Sequence, residues 1–213
     1  MVKLFLIPGL GADARIFDHL DLRGYEIVPV KWIEPEKQDT LSAYAQKLID
    51  HYFITPGSIV IGNSLGGMLA IEIAKKVALD KTILISSIKT SDEAPLSFKW
   101  YRYVPLYKLI PTHWLNSTGV IVKEAMGQMS KNHQEIFVSM LKGTSPQFIK
   151  WALGAILQWD NQIIPPNVYH ITGDKDKIFP YKRIKDAEIV KGGTHIMILN
   201  KAKQINNWLK EIL

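Results

Sequence analysis

The stretch from Ser58 to Ala74 reads SIVIGNSLGGMLAIEIA and carries the clearest structural pattern in the chain. In its centre Gly62 and Gly66 flank Ser64 in the pattern Gly-x-Ser-x-Gly, between a short apolar run and a helical pattern. A strand that turns directly into a helix leaves no room for side chains at the glycines and strains the serine backbone. Such a turn presents the Ser64 hydroxyl above the sheet and leaves the Leu65 amide free to donate to an oxyanion. The stretch therefore predicts an exposed serine nucleophile.

A glycine-rich turn that binds phosphate is the alternative interpretation of this stretch. The chain contains no Gly-x-Gly-x-x-Gly pattern, and no Lys-Ser or Lys-Thr ending of the P-loop type follows these glycines. The serine interpretation is therefore favoured, although the pattern alone is weak.

The same sequence of apolar run, turn and helical pattern recurs on both sides of this stretch. The predicted strands are Leu4–Ile7, Tyr25–Val30, Ser58–Ile61, Thr82–Ile85, Val168–Thr172 and Glu188–Val190. Most are apolar without strict alternation, which is typical of strands covered on both faces. The predicted helices are Leu41–Phe53, Leu65–Val77 and Leu199–Leu213. Alternating strands and helices predict an α/β fold with a largely parallel sheet.

One long interval, of about 80 residues between the fourth and fifth strands, breaks this alternation and carries no strand signal. Its apolar residues have helical spacing, and prolines divide it into about four short helices. It is rich in aromatic residues, among them Trp100, Trp114, Trp151 and Trp159, which would pack on the sheet, contact a ligand, or do both. We predict an α-helical lid inserted in a single fold, with 89–161 as the lid and 1–88 and 162–213 as the core.

The serine stretch in this setting resembles the nucleophile turn of the α/β-hydrolase family, which orders its catalytic triad Ser, acid, His along the chain. The segment Gly173-Asp174-Lys175-Asp176, followed by Pro180, is similar to the family's acid loop and assigns the acid to Asp176, with Asp174 as the alternative. Both carboxylates could instead cap a turn near Pro180. Gly192-Gly193-Thr194-His195 resembles the loop of the family's catalytic histidine; the other five histidines have no comparable context.

The family resemblance also extends to the first strand, which ends in Pro8-Gly9-Leu10-Gly11. By position, the amide of Leu10 would be the second oxyanion donor beside that of Leu65. Pro8 and Asn63 stand where the family often has histidine, and neither position belongs to the triad. The resemblance implies a six-stranded, mostly parallel sheet in the order 2-1-3-4-5-6 with helices on both faces. It also implies that two strands at the front of the family's sheet are missing.

Composition excludes several other classes of protein. The chain has 213 residues, 26 Lys and Arg against 20 Asp and Glu, and no cysteine. Disulfides, cysteine nucleophiles and cysteine-bound metals are thereby excluded, and we expect a cytoplasmic protein. The net charge of +6 is spread along the chain, so we expect no nucleic-acid partner. No apolar stretch is long enough to cross a bilayer, so we expect no membrane partner either.

The resemblance implies a hydrolase of the carboxylesterase or thioesterase type acting on a small to medium, partly apolar acyl substrate. No cofactor and no metal are expected, and the oligomeric state is left open. The alternatives are a lyase, a C–C hydrolase or an acyltransferase using the same triad, or a non-catalytic binding protein. Arg15 or Arg102 would anchor a substrate carboxylate in some of these reactions, although surface charge is the commoner role of such residues.

Overall fold

A computed structural model describes residues 1–103 and 131–213 of the chain. In these ranges six strands form one sheet: β1 (Lys3–Ile7), β2 (Glu26–Pro29), β3 (Ile59–Asn63), β4 (Lys81–Ile85), β5 (Val168–Gly173) and β6 (Glu188–Val190). Their order is β2-β1-β3-β4-β5-β6, and every neighbouring pair is parallel. The predicted strand order and direction are confirmed.

The central strands are apolar on both faces because helices cover the sheet on both sides. On β1, Leu4 and Leu6 face one apolar core, whereas Phe5 and Ile7 face the other. All five residues of β3 are buried. This double burial explains why the strand patterns lack the alternation of a half-exposed sheet.

The core helices lie near their predicted positions but differ at their ends. They are α1 (Leu41–Tyr52) and α2 (Leu65–Ala74) on one face, and two helices near the C-terminus on the other. α2 ends at Ala74, three residues before the predicted end. The chain then continues through turns, in which the amides of Lys76 and Val77 both donate to the Ile73 carbonyl.

The predicted C-terminal helix Leu199–Leu213 is wrong as a single element. Two helices, Met197–Asn200 and Ala202–Ile212, meet at Lys201, whose backbone is non-helical at φ −121° and ψ 23°. The break lets the first helix bury three apolar residues beside the sheet while the second packs Ile205 and Leu209 on the same face.

Between β4 and β5 the described part of the chain is helical, as predicted for the lid. It contains a 3₁₀ turn (Ser91–Glu93) and three helices, α3 (Leu96–Tyr103), α4 (Lys131–Lys142) and α5 (Pro146–Gln158). Ser145 caps α5 by accepting from the Phe148 amide, and Pro146 occupies the first turn, where no amide donor is needed. The remainder of the predicted lid, 104–130, lies outside the described residues.

No helix in the described ranges is long and apolar enough to span a bilayer.

Candidate active site

Ser64 occupies the turn between β3 and α2 in a strained backbone conformation, with φ 53° and ψ −116°. A Cβ at Gly62 would collide with the backbone of Gly66 and Gly67, and one at Gly66 would collide with the carbonyl of Ile7. The two glycines of the motif are therefore required by close backbone approach. The turn places the serine at the N-terminus of α2, where partial positive charge accumulates.

The backbone of Ser64 is held from both sides. Its amide donates to the Ile85 carbonyl at 3.0 Å, and its carbonyl accepts from the Gly67 amide at 2.9 Å and from the Ser87 hydroxyl at 2.7 Å. Ser87 lies in the segment after β4, and sequence reasoning missed it because nothing local distinguishes it from other serines. Its hydroxyl helps to fix a backbone whose conformation is unfavourable on its own.

The structure brings Ser64, His195 and Asp176 together in one line. The Nε2 atom of His195 lies 2.8 Å from the Oγ atom of Ser64, and its Nδ1 atom lies 2.9 Å from the Oδ2 atom of Asp176. The Asp176 side chain is fully buried, and that of His195 is 12% exposed. These distances fit a nucleophile, a base and a group that orients the base.

The two carboxylates of the acid loop have different surroundings. Asp176 faces His195, and its second oxygen, Oδ1, accepts from the amides of Ile178 at 2.8 Å and Phe179 at 2.9 Å. Asp174 instead accepts from the Gly192 amide at 2.6 Å. Asp176 is thus the carboxylate that contacts the imidazole, and Asp174 ties the acid loop to the histidine loop.

The histidine loop lies close against the acid loop. A Cβ at Gly173 would collide with the Gly193 backbone, and the Lys175 amide donates to the Gly193 carbonyl at 2.9 Å. The buried Phe179 ring meets the His195 ring edge to face, with 5.4 Å between the ring centroids. The imidazole is therefore packed on one side and hydrogen-bonded at both nitrogens.

The loop after β1 lies directly beside the serine. A Cβ built on Gly9 would be 3.2 Å from the Cβ of Ser64. The Ala12 amide donates to the Gly9 carbonyl at 3.0 Å and closes a turn around Leu10 and Gly11, with Gly11 at φ 75°. Among the described residues, the Leu10 and Leu65 amides have no hydrogen-bond partner outside their own elements. Both amides are thus free to bind a developing negative charge.

Arg15, one of the two arginines considered for a substrate carboxylate, is paired with Asp13 in the structure. Arg15 makes several hydrogen bonds to the Asp13 carboxylate and one to the Ser139 hydroxyl, at 3.0 Å. The same guanidinium lowers the pKa of Asp13, chiefly by hydrogen bonding. Arg15 therefore links the loop after β1 to α4, and the Arg102 side chain lies outside the described residues.

A second group of buried charges lies between β5 and the start of the helical insertion. Lys89 is 3.3 Å from Glu93 and 3.4 Å from the Nδ1 atom of His170. Burial, together with the neighbouring Lys89 charge, lowers the pKa of His170 to about 3. His170 is thus held neutral in the folded protein. The described residues include no group of three or more His, Cys, Asp or Glu placed to hold a metal ion.

The chain is similar to a known protein family and to solved structures. A sequence profile described as "Alpha/beta hydrolase family" matches residues 4–207. No curated protein matches the chain. Among solved structures, a thermophilic esterase from Thermogutta terrifontis is similar at a TM-score of 0.67 and 16% identity, covering 100% of this chain and 90% of the other.

Two further solved structures show the same fold. A lipase-esterase related protein from Clostridium acetobutylicum ATCC 824 has a TM-score of 0.69 at 19% identity, covering 99% of this chain and 94% of the other. A bromoperoxidase from Bacillus anthracis has a TM-score of 0.67 at 16% identity, covering 99% and 91%. At these identities the likeness is one of fold.

Proposed function

The chain belongs to the alpha/beta hydrolase family, and on that premise we propose that it is a serine hydrolase that cleaves carboxylic esters or thioesters through an acyl-enzyme. The substrate is a small to medium acyl compound with an apolar portion. The observation that carries the proposal is the continuous contact from Ser64 through His195 to Asp176, at 2.8 Å and 2.9 Å. No other serine among the described residues has both a strained turn conformation and a histidine partner.

Acylation begins with the proton of the Ser64 hydroxyl. His195 accepts it at Nε2 as the Oγ atom attacks the substrate carbonyl, and this requires the tautomer that carries its proton on Nδ1. Asp176 accepts a hydrogen bond from that Nδ1 proton and stabilises the imidazolium that forms. The carboxylate stays aligned because two backbone amides hold its other oxygen.

The carbonyl oxygen becomes an oxyanion during the attack. In the proposed mechanism the Leu10 and Leu65 amides donate to it, and the positive end of α2 adds to the stabilisation. Loss of one such donor costs about 3–4 kcal/mol in known hydrolases. The Leu10 amide is favoured as a donor because the adjacent Gly9 lies against the Ser64 side chain.

Collapse of the tetrahedral intermediate breaks the bond to the alcohol or thiol, which takes the proton from His195. A water molecule then attacks the acyl-enzyme and gives a proton to the same Nε2 atom, and the carboxylic acid leaves as Ser64 regains its proton. Every step uses only side chains and amides of this chain together with water. The esterase names of two structural neighbours are consistent with this reaction.

An acyl-length series tests the proposed reaction. p-Nitrophenyl esters from acetate to decanoate, together with the matching thioesters, are assayed with the native protein and with Ser64→Ala. We expect turnover of short to medium chains and a loss of at least about a thousandfold in the variant. Full activity in Ser64→Ala, or hydrolysis of no ester or thioester by the native protein, would refute the proposal.

A further inference from the structure

We propose that Trp32 is a positioning residue for the oxyanion-binding turn, here called the Leu10 turn (Gly9 to Ala12). The indole Nε1–H donates to the Ala12 carbonyl at 3.1 Å, from a segment 20 residues further along the chain. This inference rests on the proposed function, because it concerns the amide that would bind the oxyanion. Trp32 makes no hydrogen bond to Ser64 or His195 in the structure.

The Trp32 hydrogen bond completes the anchoring of Ala12. The Ala12 amide already donates to the Gly9 carbonyl at 3.0 Å, so its two backbone polar groups are both engaged. The Leu10 amide belongs to the Gly9–Leu10 peptide at the start of this turn, and Gly11 adopts φ 75°. Because the turn is short, a shift of the Ala12 carbonyl changes the direction of the Leu10 amide.

The helical insertion holds the Trp32 ring in place. Phe148 of α5 lies 4.6 Å from Trp32 between ring centroids, and Tyr44 of α1 lies 6.4 Å away. The Tyr44 hydroxyl donates to the Ile33 carbonyl at 2.7 Å and accepts from the Ile33 amide at 2.9 Å, which fixes the segment beside Trp32. The indole that donates to the Ala12 carbonyl is therefore packed between Phe148 of α5 and Tyr44 of α1.

A second lid helix supports the Leu10 turn from another direction. A Cβ at Gly11 would meet the Leu141 side chain of α4 at 2.6 Å. Leu141 is 1% exposed and belongs to the same apolar core as Leu4 and Leu6 of β1. Both α4 and α5 thus connect to the Leu10 turn, α4 by direct packing and α5 through Trp32. The described lid helices would then act on catalysis through the oxyanion donor, in addition to any contact with substrate.

Trp32→Phe removes the indole donor while it keeps an aromatic ring against Phe148. Loss of one neutral hydrogen bond predicts a kcat about three- to tenfold lower with KM changed less than twofold. The inhibition constant of an alkyl trifluoromethyl ketone, which forms an oxyanion on the serine, is expected to rise by a similar factor. The pH profile of kcat/KM is expected to stay unchanged because the triad is untouched.

Trp151→Phe is the matched control. The Trp151 indole also donates to a backbone carbonyl, that of Asp39 at 2.8 Å, and its ring lies 4.5 Å from Tyr44 and 5.5 Å from Phe148. It belongs to the same aromatic cluster but does not reach the Leu10 turn. We expect Trp151→Phe to lower the melting temperature without changing kcat or the ketone inhibition constant.

A second variant, Phe148→Leu, keeps the indole donor but removes the ring against it, and a smaller loss of the same kind is expected. It carries the test if Trp32→Phe fails to fold. The inference is overturned if Trp32→Phe keeps native kcat and ketone inhibition, or if Trp151→Phe gives the same loss. Ser64→Ala is assayed in parallel: full activity in that variant refutes the proposed function itself, whereas its inactivity beside an unaffected Trp32→Phe refutes only this inference.

Discussion

His195 Nδ1 lies 2.9 Å from the Oδ2 atom of Asp176, a carboxylate whose other oxygen is fixed by two backbone amides. The pair is therefore aligned before any substrate binds. An oriented carboxylate selects the imidazole tautomer that leaves Nε2 free to accept the serine proton. In the proposed mechanism, the geometry at Asp176 therefore decides whether Ser64 can be activated.

Asp176→Asn is expected to lower kcat by about a thousandfold or more. An amide in place of the carboxylate favours the wrong tautomer of His195 and stabilises its charged form less. Steady-state kinetics on a p-nitrophenyl ester measures the loss. Asp174→Asn is the control, because its amide oxygen can still accept from the Gly192 amide, and it should keep kcat within a few fold. Equal losses in the two variants would contradict the assignment of Asp176.

Ser87→Ala is expected to lower the free energy of unfolding by about 1 kcal/mol and kcat by several fold. The variant removes the 2.7 Å hydrogen bond to the Ser64 carbonyl, and that bond helps to fix the strained turn. Denaturant unfolding and steady-state kinetics measure the two effects.

Ser86→Ala is the matched control for that variant. The buried Ser86 hydroxyl has no hydrogen-bond partner among the described residues, so its removal should leave stability and kcat near the native values. A Ser86→Ala variant as impaired as Ser87→Ala would show that the Ser87 hydrogen bond does not explain the effect.

His170 is expected to make the folded protein less stable as the pH falls below about 6.5. Burial and Lys89 lower the pKa of its imidazole to about 3, so the unfolded chain binds a proton that the folded chain does not. The unfolded pKa is about 6.5. The contribution of His170 to the free energy of unfolding is therefore fully present above about pH 6.5. It is lost at about 1.4 kcal/mol per pH unit as the pH falls towards the pKa of His170 in the folded protein.

Unfolding free energies between pH 6.5 and 5 measure this slope in the native protein and in His170→Gln. The variant should remove the part of the slope that comes from one bound proton, whatever its effect on stability at neutral pH. His51→Gln is the control variant because it removes an exposed histidine in place of the buried one. An unchanged slope in His170→Gln would contradict the neutral buried state of His170.

Much of the sheet could be predicted from the chain itself because each strand is short, apolar and followed by turn residues. The Gly-x-Ser-x-Gly turn indicated Ser64, and the family resemblance supplied the order of the strands and the choice of His195 and Asp176. The structure brings these three residues into contact. Their catalytic roles remain predictions, as do the lid boundaries at 89–161. The choice between Asp176 and Asp174 could not be made from spacing alone, because both follow the same strand and only their partners differ.

Residues whose role depends on distant contacts could not be found in the sequence. Trp32 and Ser87 carry no local motif; each acts through one hydrogen bond to a segment at least 20 residues away. The break at Lys201 was also missed, since both helices beside it continue the same apolar periodicity. Tertiary packing decides where such a helix ends, and the pattern does not contain that information.

The proposed mechanism requires Ser64 to form a covalent bond with the substrate carbonyl. Mass spectrometry of the native protein after incubation with a fluorophosphonate, followed by peptide mapping, measures whether Ser64 is the reactive nucleophile. We predict one adduct per chain, located on the peptide that contains Ser64, with ester hydrolysis lost in proportion to labelling and no adduct in Ser64→Ala. An adduct on another residue that accounts for the loss of activity, or active protein that does not label, would contradict the claim.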